Sequence, residues 1–142
     1  MRQYMALMLA VLVGGGCGLL LDNPAPEEAR VVIDGDAETE VRIITSTVFV
    51  SAVNEEGVTR VQLFEADTIV TTLPYRRTFD IQEDHRFFAE AARLDVDVQN
   101  LTMQVYLDDR KQFDEGGILI EGAPFRFVYM FNQAVTQEIE VL

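Results

Sequence analysis

Leu101-Thr102-Met103-Gln104-Val105-Tyr106-Leu107-Asp108 is the segment from which the fold class follows. Leu101, Met103, Val105 and Leu107 alternate with Thr102, Gln104, Tyr106 and Asp108, and a period of two sends successive side chains to opposite faces of a strand. A strand with one apolar and one polar face belongs to an antiparallel sheet that is covered on one side only. Asp108-Asp109 then turns the chain back on Lys111 to Phe113, so the segment predicts one arm of a hairpin.

Toward the N-terminus, Val31-Val32-Ile33 runs into Asp34-Gly35-Asp36, a turn signal. Val41 to Val50 is almost wholly Val, Ile, Thr, Ser and Phe, which predicts one strand with a bend or bulge near Ser46. Asn54-Glu55-Glu56-Gly57 forms a hairpin turn into Val58 to Phe64, with Val61 and Leu63 on one face and Arg60 and Gln62 on the other. Thr68 to Thr72 reads as a further strand closed by Leu73-Pro74, because proline cannot donate to a ladder. Thr78 to Ile81 and Phe87 to Leu94 read as the next pair, joined by Gln82-Glu83-Asp84-His85. The alanines of Phe87 to Ala92 would also suit a helix, and the surrounding pattern favours strand.

Toward the C-terminus, Ile118 to Ile120 follows Gly116-Gly117, then comes Phe125 to Phe131, with Val135 to Leu142 as a candidate terminal strand. Eight to ten short strands, without a helical period or an internal repeat, predict an all-β, Ig-like antiparallel β-sandwich after an N-terminal signal segment. An up-and-down barrel is the alternative. Phe49, Phe64, Phe79, Phe87, Val105, Phe127 and Tyr129 are the expected core, each contributing roughly 1.5–3 kcal/mol on burial.

The first residues carry a different signal. Arg2 supplies a positive start, Met5 to Val13 a short apolar run, and Gly14-Gly15-Gly16-Cys17 a small-residue segment with the only cysteine of the chain. A membrane span needs roughly 20 apolar residues, and this run meets three glycines after nine. At Gly16-Cys17 the leader resembles a bacterial lipoprotein signal, although Gly14 stands where such signals usually carry Leu. The resemblance implies cleavage before Cys17, lipidation of that residue, and a domain held on a membrane face of the cell envelope, toward the periplasm or the exterior. Asp22-Asn23-Pro24-Ala25-Pro26-Glu27-Glu28 reads as tether. The expected organisation is a signal peptide at 1–16, a lipid-anchored tether at 17–29 and the β-sandwich at 30–142.

The chain has 11 Lys and Arg against 24 Asp and Glu. One of the basic residues is Arg2, so the part after residue 16 carries 10 against 24, a formal −14. Such a surface repels nucleic acid and stays soluble. A single cysteine forms no internal disulfide.

Thr72-Leu73-Pro74-Tyr75-Arg76-Arg77-Thr78-Phe79, the alanine-containing strand Phe87 to Ala92, and Leu101 to Lys111 with its Asp108-Asp109-Arg110-Lys111 hairpin resemble the C-terminal part of the MmpS-type proteins. Those are small membrane-anchored β-sandwich domains that accompany large lipid exporters of the RND type. Tyr75 stands in place of the usual Trp and Asp109 where Gly is common. The resemblance implies a membrane-tethered accessory domain.

No motif for catalysis emerges. His85, the sole histidine, sits in a polar turn without a Gly-x-Ser-x-Gly elbow elsewhere, and one His with one lipid-bearing Cys cannot build a zinc site. Asp34-Gly35-Asp36 with Glu38, Asp95-Val96-Asp97, and Asp108-Asp109 with Asp114 are the oxygen-rich segments that a calcium-dependent adhesion or carbohydrate-binding module would use. A carboxylate-based envelope hydrolase would need two acids facing one cleft. Phe125, Phe127, Tyr129 and Phe131 could line a ligand groove or fill the core, and Val128 and Met130 opposite them suggest a strand covered on both sides. The expectation is a non-catalytic binding or accessory module with no cofactor, no metal and no nucleic acid. It meets the membrane through lipidated Cys17, and its partner is an envelope protein or a lipid-like ligand.

Overall fold

The computed structural model describes residues 24–36, 38, 40–94, 99–136 and 138–142. Among the described residues, ten strands make up the regular structure: β1 Glu28–Gly35, β2 Glu40–Val53, β3 Thr59–Thr72, β4 Tyr75–Asp80, β5 Phe87–Arg93, β6 Gln99–Leu107, β7 Arg110–Leu119, β8 Phe125–Met130, β9 Gln133–Val135 and β10 Ile139–Val141. They form two sheets, ordered β4-β1-β6-β7 and β10-β3-β2-β5-β8-β9, and every pairing is antiparallel except β10 with β3. The protein is thus an all-β sandwich. β1 begins at Glu28, where the amides of Glu27 and Glu28 donate to Asp108 Oδ1 at 3.0 and 3.1 Å.

The segment that announced the fold behaves as its alternation requires. Leu101, Met103, Val105 and Leu107 are buried between the sheets, joined by Val31 and Ile33 of β1, Val41 and Ile43 of β2, Phe87 of β5, and Phe127 and Tyr129 of β8. Gly35, read as part of a turn, is instead the last residue of β1, where a side chain would lie 2.5 Å from the Asn100 carbonyl oxygen. The turn after Val53 is as expected: Asn54 Oδ1 accepts from the amides of Glu56 and Val58, and Gly57 takes the left-handed conformation that closes it.

Three further features depart from the sequence reading. β3 is one strand of 14 residues and not two, its charged middle at Glu65 to Asp67 lying on an exposed stretch. β4 and β5 do not pair with each other: β4 adds to β1, β5 lies between β2 and β8, and the turn between them crosses from one sheet to the other. β7 runs through Gly116-Gly117 without a break, paired with β6 along its length.

A second apolar cluster lies on the outer face of the larger sheet. Phe49, Val61, Phe88 and Val128 are its buried members, flanked by Ile44, Leu63, Met130, Val135, Ile139 and Val141. Its origin is the irregularity in the β2–β3 ladder between Thr45 and Phe49, the bulge expected near Ser46. A bulge adds a residue and inverts the side-chain parity beyond it. Ser46 Oγ fastens the irregularity, accepting from the Val48 amide at 3.0 Å and donating to the Glu65 carbonyl.

Beyond the bulge the β2–β3 hairpin folds over the outer face. Ile139 pairs with Thr59 near the hairpin tip, yet its carbonyl accepts from Arg126 Nη1 at 2.7 Å, in the row of the sheet occupied by Glu90 and Ile44. Val135 and Ile139 can be only about 14 Å apart along the chain, whereas opposite edges of a flat six-stranded sheet lie about 24 Å apart. The sheet therefore curls until β10 approaches β8, and this end of the sandwich is a small half-barrel around Phe49 and Phe88, whose rings meet edge to face at 6.4 Å.

Parity inversion also explains the one misplaced core residue. Phe64, expected inside, is 59% exposed, because Leu63 and Val61 face the second cluster and Phe64 points the other way. Phe79 is half-buried against Phe87 with ring centroids 5.1 Å apart. Phe49, Phe87, Val105, Phe127 and Tyr129 are buried as expected.

Candidate functional site

β5 is the central strand on which the most distinctive site is built. Phe87 to Ala92 are all buried: Phe87, Ala89 and Ala91 face the main core, and Phe88, Glu90 and Ala92 face outward. Small alanines let the second sheet approach, and the outward position of Glu90 brings a carboxylate under cover, its side chain only 5% exposed. A buried carboxylate needs partners. Arg126, directly opposite on β8, donates Nε to Glu90 Oε2 at 2.8 Å, and Arg42 of β2 donates Nη2 to Oε1 at 3.4 Å.

Arg42, Glu90 and Arg126 floor a depression of about 270 Å³ whose walls include Arg93, Leu94, Ile120, Glu121 and Pro124. Arg93 is oriented by donating Nη1 to the Leu119 carbonyl at 3.1 Å. Beside it, sharing Ile120, Pro124 and Arg126, runs an open groove of about 640 Å³ lined further by Ile118, Phe125 and Ile139, with Glu115 and Glu138 also in its lining. Ile118 and Ile120 are more than half exposed there. Three guanidiniums against Glu90 and Glu121 make the depression locally positive on a chain of net charge −13. Planar guanidiniums bind carboxylate and phosphate oxygens in forked geometry, and the adjoining groove offers apolar contact.

No family model, curated protein or solved structure matches the chain.

The residues singled out from sequence are dispersed. Cys17 and residues 1–16, with Asp95-Val96-Asp97, lie outside the described residues. The other acidic segments are engaged separately: Asp34 Oδ1 accepts from the Gly35 amide at 2.9 Å, Asp36 Oδ2 from the Asn100 amide at 3.4 Å, and Asp108 from Glu27 and Glu28. Asp114 accepts from Gln104 at 3.0 Å and pairs with Lys111. Lys111 and Gln104 hold the Asp114 carboxyl below its ordinary range. Among the described residues, no three His, Cys, Asp or Glu converge as metal ligands. His85 is exposed in the sheet-crossing turn, its amide donating to the Ile81 carbonyl at 2.9 Å.

The aromatic strand divides its residues between two interiors. Phe127 and Tyr129 fill the main core while Val128 and Met130 join the second cluster, so β8 is covered on both faces, and Phe131 lies 78% exposed in the following turn. Tyr129 donates its hydroxyl to Asn132 Oδ1 at 3.0 Å, and burial, followed by the Asp108 charge, raises its pKa. Sequence reasoning missed the Arg42–Glu90–Arg126 network. Its trace was a single Glu inside the apolar run Phe87-Phe88-Ala89-Glu90-Ala91-Ala92, a position where an acid persists only with a partner.

Proposed function

We propose that this is a lipid-anchored cell-envelope protein, acylated at Cys17, that works as a non-catalytic binding or accessory module. The observation that carries the reading is the polarity of the domain. β1 enters beside Asp80 and Leu107 at one end of the sandwich, while the arginine-lined depression and its adjoining groove lie at the other, where Leu119 and Arg93 end their strands. A tether at one end and a recessed, positively lined surface at the other suit a domain that displays its contact site away from the membrane. The partner is an envelope protein or a lipid-like ligand that places a carboxylate or phosphate on Arg42 and Arg93 and apolar atoms along Ile118 and Ile120. The free edge of β7 beside the groove adds backbone groups to which an extended segment can pair.

The test is crosslinked co-purification of the anchored protein from membranes, repeated with Arg42→Met/Arg93→Met. The account expects a discrete partner or ligand that the double variant loses. Retention of the same species by the variant would assign the contact elsewhere.

A further inference from the structure

The end of the domain at which the chain enters has a composition of its own. Pro24 and Pro26 line a depression together with Leu107, Tyr129 and Asn132, and the amides of Glu27 and Glu28 are bonded to Asp108, so the chain is fixed to the domain from Glu27 onward. Between Cys17 and Glu27 it spans at most about 35 Å when fully extended. The tether joins the domain at this end, so an acyl group on Cys17 would bring this end nearest a bilayer.

Among the described residues, this same end carries exposed apolar side chains. Because the β2–β3 hairpin bends toward the outer face at Ser46, the face opposite the second cluster turns toward the end where β1 begins. That face holds Val48, Val50 and Phe64, which are 37%, 47% and 59% exposed. Phe131 projects from the β8–β9 turn at the same end, next to Asn132. Glu83, Asp84, Asp108 and Asp109 occupy the neighbouring turns, followed by Arg86, Arg110 and Lys111, so the end joins apolar side chains to charged turns.

We propose that this end seats on a lipid surface, with Phe64 and Phe131 entering the interface of a neutral bilayer and the charged turns kept in water. The inference rests on the anchored reading for its tether and goes beyond it in fixing which face meets lipid. Aromatic and branched apolar groups bind the interfacial layer by area buried, and a tether of this length keeps them within reach continuously. The net charge of −13 on the whole chain opposes approach to anionic headgroups, so the seating depends on lipid composition.

The chain contains no tryptophan, which makes single-tryptophan reporters direct. Full chains carrying Phe64→Trp, Phe131→Trp or, at the far end, Ile120→Trp are placed in phosphatidylcholine vesicles with brominated acyl chains. Flotation with the vesicles reports the anchor independently. The expected result is emission quenched at least about twofold more at positions 64 and 131 than at 120, with the difference reduced when phosphatidylglycerol replaces part of the lipid. Floating protein without quenching at 64 and 131, or with equal quenching at all three, overturns the seating and leaves the anchor standing. If the native protein does not float, Cys17 is coupled to a maleimide-bearing lipid and the emission is read again. Quenching then upholds the seating while the native anchor fails, and its absence overturns the seating as well. Two chains per particle without quenching would give the face to a second copy, which also overturns it.

Discussion

Arg126 Nε lies 2.8 Å from Glu90 Oε2 directly across the β5–β8 pair, and the same guanidinium holds the Ile139 carbonyl at 2.7 Å. One side chain thereby neutralises a buried carboxylate and fastens the last strand over the half-barrel. Removing it as Arg126→Met leaves Glu90 with only the longer contact to Arg42. Breaking such a pair costs about 3–5 kcal/mol when fully buried, and about 2–4 kcal/mol is expected here because Arg126 is partly solvated. Glu90→Leu/Arg126→Met should recover most of that loss. Urea unfolding of the two single variants and the double variant checks this, and additive losses would contradict the coupling.

Ser46 is the second fastening. Its hydroxyl accepts from the Val48 amide and donates to the Glu65 carbonyl, satisfying backbone groups that the bulge withdraws from the ladder. Ser46→Ala is expected to lower stability by about 1–2 kcal/mol. It should also speed hydrogen exchange at Val48, with little change at Val105 in the opposite sheet. Uniform acceleration would show that the bulge does not behave as a local corner.

Phe49 and Phe64 lie on facing strands but on opposite faces. Phe49→Ala opens the second cluster and is expected to cost about 3–5 kcal/mol, while Phe64→Ala should stay within about 0.5 kcal/mol. Thermal unfolding distinguishes them. Equal losses would mean that Phe64 is packed and the bend is misassigned.

The Phe64 error shows where sequence reading stops. Alternation from Leu101 to Leu107 was enough to place β6, because each face meets one environment along its whole length. On β2 and β3 the bulge at Ser46 inverts parity in mid-strand, and a periodicity rule has no means of saying which side of the inversion is covered. The bulge itself was legible from Ser and Thr inside a β-branched run; its consequence depended on β10 returning to β3, a contact between residues some 80 positions apart. The Arg42–Glu90–Arg126 site was hidden for the same reason. Its members stand on three strands, and only their pairing registers bring them together.

Tyr129 gives the pH dependence. Burial, with the Asp108 charge adding, raises its pKa above the ordinary value of 10.0, so the folded state favours the neutral phenol. A raised acid pKa contributes stability that is complete below the unfolded value and is lost as pH rises through the folded one. Stability should therefore fall above about pH 10, and Tyr129→Phe should lessen that fall while losing about 1 kcal/mol at neutral pH from the Asn132 hydrogen bond. Denaturant midpoints across the alkaline range check it. An unchanged alkaline slope in the variant would assign the loss elsewhere, with Tyr75, also raised chiefly by burial, as the next residue to replace.

The membrane-tethered reading stands or falls on Cys17. Intact-mass analysis of the protein extracted from membranes, with Cys17→Ser alongside, addresses it. The account predicts a chain that begins at Cys17 and carries the added mass of acyl groups, and a Cys17→Ser protein that is neither cleaved there nor acylated. A native chain with an unmodified Cys17 thiol would contradict it.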